Sequence, residues 1–157
     1  MNIKDIHLRA PSDSEFIEVA RFSFENFAQE LSRSSGEPEA AIKEKIGSPP
    51  VHRSENDIWL IIECDGRRAG FVWFQVIPEE NSAFGWDIFI EPEFRSKGIG
   101  RYVMQKCGEE LRQRGISSVR ICVFEHNFIA RRLYETLGFR VEKYDEQRRQ
   151  YTLNLKL

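Results

Sequence analysis

Cysteine is scarce in this chain: Cys64, Cys107 and Cys122 are the only three in 157 residues. An odd number so far apart fits neither a disulfide framework nor a zinc-ligand spacing, and it points to lone buried thiols in a reducing compartment. Histidine is equally sparse, and His7, His52 and His126 form no ligand-spaced cluster, so no metal is expected. No apolar run approaches the ~18–20 residues of a membrane helix. The opening stretch MNIKDIHLRA lacks the apolar region of a signal peptide. Cytoplasmic residence without a membrane partner is the expectation. An excess of one charge is missing too: 23 basic and 25 acidic residues leave a net charge of −2. A nucleic-acid partner would call for a basic stripe. Arg131-Arg132 and Arg148-Arg149 are too short for one, and read as solvated faces or phosphate contacts. Repeats, low-complexity tracts and linkers are absent as well, so residues 1–157 are expected to form one domain.

What is present is an ordinary globular balance, 41% apolar and 31% charged. Ile3 to Arg9 reads as a strand with Ile6 and Leu8 on one face. Pro11 stops it, and Ser12 or Asp13 can cap a helix in which Phe16, Ala20, Phe24, Phe27 and Leu31 recur at helical spacing. A polar connection from Ser32 to Asn56 encloses a short amphipathic helix, Glu37 to Ile46, with Pro38 in its first turn. Asp57 to Cys64 and Ala69 to Ile77 read as strands joined at Asp65-Gly66. Their near-continuous apolarity predicts cover on both faces. Pro78 to Ser82 reads as a loop, and Trp86 to Ile90 as the next strand. A helix with Val103, Cys107 and Leu111 inward ends at Gly115. Val119 to Val123 alternates as a strand, Asn127 to Leu137 is a helix, and Phe139 to Tyr144 pairs with Gln150 to Leu157 as a hairpin. The order is β-α-α-β-β-β-α-β-α-β-β.

The most informative stretch is Trp86 to Gly100, WDIFIEPEFRSKGIG. An apolar strand is halted by Pro92 and feeds a Gly-bearing loop that opens a helix. Helix starts leave N–H groups unpaired and carry partial positive charge, which suits an anion. Gly98 and Gly100 let a diphosphate approach the backbone, and Arg95, Lys97 and Arg101 add full charges. By themselves these residues also fit a plain strand-to-helix turn with solvated bases. The motif is neither GxGxxG nor a P-loop.

It reads R-x-x-G-x-G, and in this it resembles the acetyl-CoA pyrophosphate loop of GNAT-type N-acetyltransferases. His126 to Phe139, HNFIARRLYETLGF, resembles that family's second signature, Asn-x-x-Ala-x-x-Leu-Tyr-x-x-x-Gly-Phe. The two lie in the family's order, 26 positions apart from Gly100 to His126. The resemblance is close in the C-terminal half, and in the N-terminal half it extends only to the order of elements. It implies an α/β (α+β) GNAT fold, a mixed central sheet with helices on both faces.

The resemblance also implies a site. The strand before the loop and the strand after its helix splay apart. Ile88, Phe89 and Ile90 then offer backbone to the pantetheine arm and an oxyanion donor. Arg95, Ser96, Lys97, Gly98, Ile99, Gly100 and Arg101 surround the diphosphate, and Asn127 touches the cofactor arm or caps its helix. Tyr134 falls at the family's general-acid position. Relatives that acetylate protein N-termini often carry a Glu where this chain has Cys122. Asp87, an acid in an apolar strand, is the substitute base, or else a structural carboxylate bonded to a loop amide. Glu125 and His126 are weaker candidates for the base, and read as exposed loop residues. The expected activity is direct acetyl transfer from acetyl-CoA to an amine of a small molecule or a protein, without metal. A non-catalytic acyl-CoA sensor is the alternative. Whether the chain forms a homodimer stays open.

Overall fold

The computed structural model describes residues 3–157, with Met1 and Asn2 outside it. Seven strands form one sheet: β1 (Ile6–Arg9), β2 (Asp57–Cys64), β3 (Arg67–Ile77), β4 (Ser82–Ile90), β5 (Ser118–Phe124), β6 (Arg140–Asp145) and β7 (Gln150–Lys156). Their order is β1-β2-β3-β4-β5-β7-β6. Among the described residues only the β4–β5 pair is parallel, and the chain makes that connection through a helix, as parallel neighbours require. The mixed sheet expected from the element order is therefore present.

Helix α1 (Asp13–Ser35) opens with a capping box. Ser12 accepts from Glu15 N–H, and the Glu15 carboxylate accepts from Ser12 N–H. Arg9 clamps the same carboxylate from β1 at 2.8 and 2.9 Å, fixing the angle at which the helix leaves the sheet. Gly36, at φ 82°, ends it in the left-handed conformation that glycine adopts without a Cβ penalty. Phe16, Val19 and Ala20 pack on Trp59, Ile61 and Phe71. Further along, Ala28 and Leu31 meet Phe124 together with Ile42 of α2 (Glu39–Ile46). One helix thus crosses a sheet face from β2 to β5. Of the five apolar residues read as its stripe, Phe24 and Phe27 are only half-buried, while Ser23 is buried.

Helices α3 (Ile99–Gln113) and α4 (Phe128–Thr136) cover the other face. Val103, Cys107, Leu111 and Tyr134 join Val72, Phe74, Val119, Ile121 and Leu153 in the largest cluster. Each fully covered aliphatic side chain there is worth ~1.5–3 kcal/mol over its exposed state. Cys64 and Cys107 are free and buried, as their spacing suggested, and Cys122 is free and half-buried. Burial pushes the Cys107 thiol up to about 12, which keeps it protonated.

Strand β4 begins at Ser82, four residues earlier than Trp86. Gly85 lies inside those extra residues and reads locally as a breaker. Here it is a packing requirement, because a Cβ would stand 2.6 Å from Ile121 Cγ2 and 2.9 Å from Phe74 Cε1.

Candidate active site

The site begins where two strands part. Ser82 to Gly85 pair with Ser118 to Ile121, and there the parallel ladder stops. The next residue, Trp86, has no partner on β3, because Phe74 faces Gly85 while Trp73 faces Asp87. A bulge of this kind bends its strand and re-aims side chains. Strand β5 meanwhile stays with β7 as far as Phe124. From Trp86 to Ile90, β4 lacks a neighbour on its β5 side, and an opening forms in the middle of the sheet.

Backbone at the rim of this opening is short of partners. Glu91 N–H bonds Ala69 O. The two-residue alternation of an antiparallel ladder then turns the main chain of Phe89 toward β3, and those of Ile88 and Ile90 toward the opening. The family resemblance implies that all three are unpaired. In the structure Phe89 belongs to the ladder opposite Phe71, and its ring packs on Phe22. Arg95, read as a phosphate cation, donates from Nε to Ile90 O at 2.8 Å and lies 5.3 Å from the Phe89 ring centroid. It closes the end of the strand.

Beyond Arg95 the chain turns into α3 through two residues of positive φ, Ser96 at 60° and Gly98 at 81°. A Cβ on Gly98 would meet nothing within 4 Å, so this stretch of backbone faces open space. The N–H groups of Ile99, Gly100 and Arg101 follow at the helix start without intrahelical acceptors. That combination fits a diphosphate. Lys97 is exposed beside it. Gly100 serves the packing of the helices instead. Its Cβ would be 3.2 Å from Leu133 Cδ2, so the lack of one lets α3 close on α4. Ile99 is buried in the core, and Arg101 donates to Thr136 Oγ1 at 2.6 Å, also joining the two helices. Gly98→Val is expected to weaken acetyl-CoA binding at least tenfold by calorimetry. Positive φ makes the same change cost ~1–2 kcal/mol of stability. Equal affinity in parent and variant would remove the diphosphate assignment.

Asp87 and Tyr134 approach the opening from opposite faces. The bulge leaves Asp87 on the α1 side, where Ser23 Oγ donates to its Oδ2 at 2.6 Å. Burial pushes the Asp87 carboxyl up to about 6, against the pull of Ser23 and the Ile88 amide, which favour the charged form. Tyr134 comes from α4, is 7% exposed, and packs its ring 5.8 Å from that of Phe139. Burial first, and the Asp87 charge second, hold its phenol well above the ordinary value.

Ser23 is a site residue that the sequence pattern does not single out. Its one signal is a hydroxyl at an apolar position of the α1 stripe. Ser23→Ala removes a hydrogen bond to the ionised form, so the Asp87 pKa is expected to rise. The acidic limb of the pH–rate profile then moves up by about 0.5–1 unit. A limb that stays in place would show that Asp87 does not set it.

Around this centre, Asn127 Oδ1 accepts from Ala130 N–H at 3.2 Å, capping α4. Glu125 and His126 are half-buried and engaged, unlike the exposed loop residues they resemble in sequence. The Tyr144 hydroxyl donates to Glu125 Oε2 at 2.8 Å, and His126 Nε2 lies 2.5 Å from Glu30 Oε2. They tie the terminal hairpin and α1 to the loop ahead of Asn127. Cys122 Sγ rests 3.5 Å from Thr152 Oγ1. A cavity of about 480 Å³ beside α3 and β7 contains none of Asp87, Tyr134 or Gly98. The candidate site is an open cleft in the sheet, not that cavity. Among the described residues no group of acidic, His and Cys side chains is placed to hold a metal, and no helix is long and apolar enough to cross a membrane.

A parted sheet beside a glycine-opened helix start is how acyl-CoA-dependent acetyltransferases seat their donor. The chain belongs to that class: the acetyltransferase (GNAT) family model matches residues 14–139. The family's co-substrate is acetyl-CoA, as the two sequence motifs implied. The chain is similar to the [ribosomal protein bS18]-alanine N-acetyltransferase of Salmonella typhimurium, at 33% identity over 88 residues. That match covers 56% of this chain and 58% of the relative, so it spans little more than half of that enzyme's length. An uncharacterised N-acetyltransferase of Bacillus subtilis, YdgE, is 28% identical over 137 residues, covering 82% of this chain and 87% of the relative. Among solved structures, the PaiA N-acetyltransferase of Thermoplasma acidophilum in complex with coenzyme A superposes with a TM-score of 0.75 at 21% identity, covering 98% of this chain and 100% of that one. The YycN protein of Bacillus subtilis gives 0.77 at 20% identity, with 90% and 96% covered. These structural likenesses establish the fold.

Proposed function

We propose that this chain acetylates a primary amine by direct attack within a ternary complex, drawing on the cytoplasmic pool of acetyl-CoA. The observation that carries the reading is the opening where β4 leaves β5, with Asp87 held on its α1 side by Ser23 and Tyr134 of α4 buried on the other side in the cluster against which Ile88 and Ile90 pack. Acetyl-CoA supplies the activated thioester. The loop from Ser96 to Arg101, which includes Lys97, receives the diphosphate. The rim at Ile88 and Ile90 and the Asn127 amide receive the pantetheine arm.

Acyl transfer then asks three things of the protein. Asp87, mostly ionised at neutral pH with a pKa of about 6, takes the proton that the amine sheds as its C–N bond forms. A main-chain N–H at the rim, of Ile88 or Ile90, faces the acyl oxygen, where negative charge develops. The Tyr134 hydroxyl gives its proton to the sulfur as the C–S bond breaks. A thiol titrates near 8.5 and this phenol above its usual ~10, so transfer to sulfur is uphill, and placement supplies the advantage. An amine-library screen with acetyl-CoA, read by thiol release, tests the reading. Turnover with at least one primary amine is expected. Thermal stabilisation by acetyl-CoA without turnover of any amine would overturn it and leave the acyl-CoA sensor.

A further inference from the structure

All three tryptophans of the chain form one stack that ends at the proposed base. Trp59 and Trp73 lie with ring centroids 4.4 Å apart and planes 14° from parallel. Trp73 and Trp86 follow at 5.2 Å and 20°. Phe84 meets Trp86 edge-on at 4.7 Å, which makes an aromatic corner. Trp73 is the β3 residue directly opposite Asp87, so the two side chains leave neighbouring strands one strand spacing apart, ~5 Å at the backbone, and on the same face. In a regular strand Trp86 and Asp87 would point to opposite faces. The unpaired position of Trp86 in the bulge brings its ring onto Trp73, on the α1 side with Asp87.

The indoles are held rigidly by their polar ends. Trp73 Nε1–H donates to Asp57 Oδ1 at 3.3 Å, and Trp86 Nε1–H to Gln75 Oε1 at 3.1 Å. Yet Trp86 remains 51% exposed. A large flat apolar surface, fixed in place, satisfied at its one polar atom and left open beside a base, is poised to receive a flat apolar group. The neighbouring charges narrow the choice. Arg120, opposite Phe84 on β5, is paired with Glu142 and Glu80, so its charge is offset before an incoming ammonium meets it. The same pairing occupies those two carboxylates. Glu30 and Glu125 are engaged with His126 and Tyr144, and Asp57 with Trp73 and the Ser54 amide. A diamine or polyamine would find no unengaged carboxylate among these for its second ammonium.

Building on the acetyltransferase reading, we infer that the acceptor is an arylalkylamine whose ring lies against Trp86 while its amine reaches Asp87. The test compares 2-phenylethylamine, n-hexylamine, 1,4-diaminobutane and a short peptide with an N-terminal alanine. Each is assayed by thiol release in the parent, Trp86→Ala and Trp86→Phe. In the parent, kcat/KM for 2-phenylethylamine is expected to exceed that for n-hexylamine about tenfold. The ratio should collapse toward one in Trp86→Ala, through KM, and return in Trp86→Phe. A ratio near one in the parent, a ratio that survives Trp86→Ala, or a preference for the diamine or the peptide overturns the aryl subsite while leaving the acetyltransferase intact. The failure of the acetyltransferase reading looks different. No amine then releases thiol, and 2-phenylethylamine binding is followed by tryptophan fluorescence instead. Quenching that Trp86→Ala abolishes supports the subsite, and no quenching overturns it as well.

Discussion

Asp87→Asn is expected to lower kcat/KM by roughly 10²–10⁴-fold, the usual contribution of a positioned base. The inflection near pH 6 should vanish with it, because a pKa of about 6 belongs to the Asp87 carboxyl. The same residue leaves a mark on stability whose sign is fixed by linkage. Its folded-state pKa lies above the 3.8 of an ordinary aspartate. Between about pH 4 and pH 6 the folded state therefore keeps a proton that the unfolded chain releases, and stability falls as pH rises through that window. A shift of about two units corresponds to on the order of 2–3 kcal/mol. The asparagine variant lacks this slope, so in urea titrations it should gain on the parent by that order between pH 4 and pH 7. A variant that keeps the inflection and only loses stability would make Asp87 a structural carboxylate held by Ser23.

How far the sequence reveals this site depends on the range of the interactions. The loop Arg95 to Gly100 and the helix from Asn127 to Leu137 are local in sequence, and their punctuation by Gly98 and Gly138 could be read directly. The family followed from them. The duties inside the loop could not be read, because they depend on contacts across the fold. Gly98 and Gly100 look alike in sequence, but one faces open space and the other makes room for Leu133. Arg95 and Lys97 look alike too, but one has its Nε on Ile90 O and the other is exposed. The start of β4 was hidden because Gly85 weakens a strand by propensity, and it is needed only because Ile121 presses on it from 36 positions away. The bulge at Trp86 leaves no trace in the alternation of WDIFI. It alone decides that Trp86 and Asp87 share a face. The pairing of Ser23 with Asp87 spans 64 positions, beyond any local pattern.

Tyr134→Phe decides whether the chain is a catalyst, and the structure makes it a clean substitution. The ring sits in the main core cluster against Phe139, and phenylalanine keeps that packing. Among the described residues none accepts a hydrogen bond from the Tyr134 hydroxyl, so its removal strands no buried partner, and the stability of the free protein should hold. Acetyl-CoA affinity should hold too, because the loop at Gly98 and the rim of β4 are untouched. At acetyl-CoA near 100 times its dissociation constant, parent and variant should both gain about 2.7 kcal/mol of apparent stability. Only kcat should fall, by roughly 10²–10⁴-fold. Because burial and the Asp87 charge keep the phenol protonated well above neutral pH, the basic side of the parent's profile should show no inflection from Tyr134 below about pH 10, the reference value for a free phenol. An equal loss in Tyr134→Phe and in acetyl-CoA affinity would move this residue from the proton path to the binding surface. A kcat close to the parent's would mean that the thiolate leaves unaided and takes its proton from water.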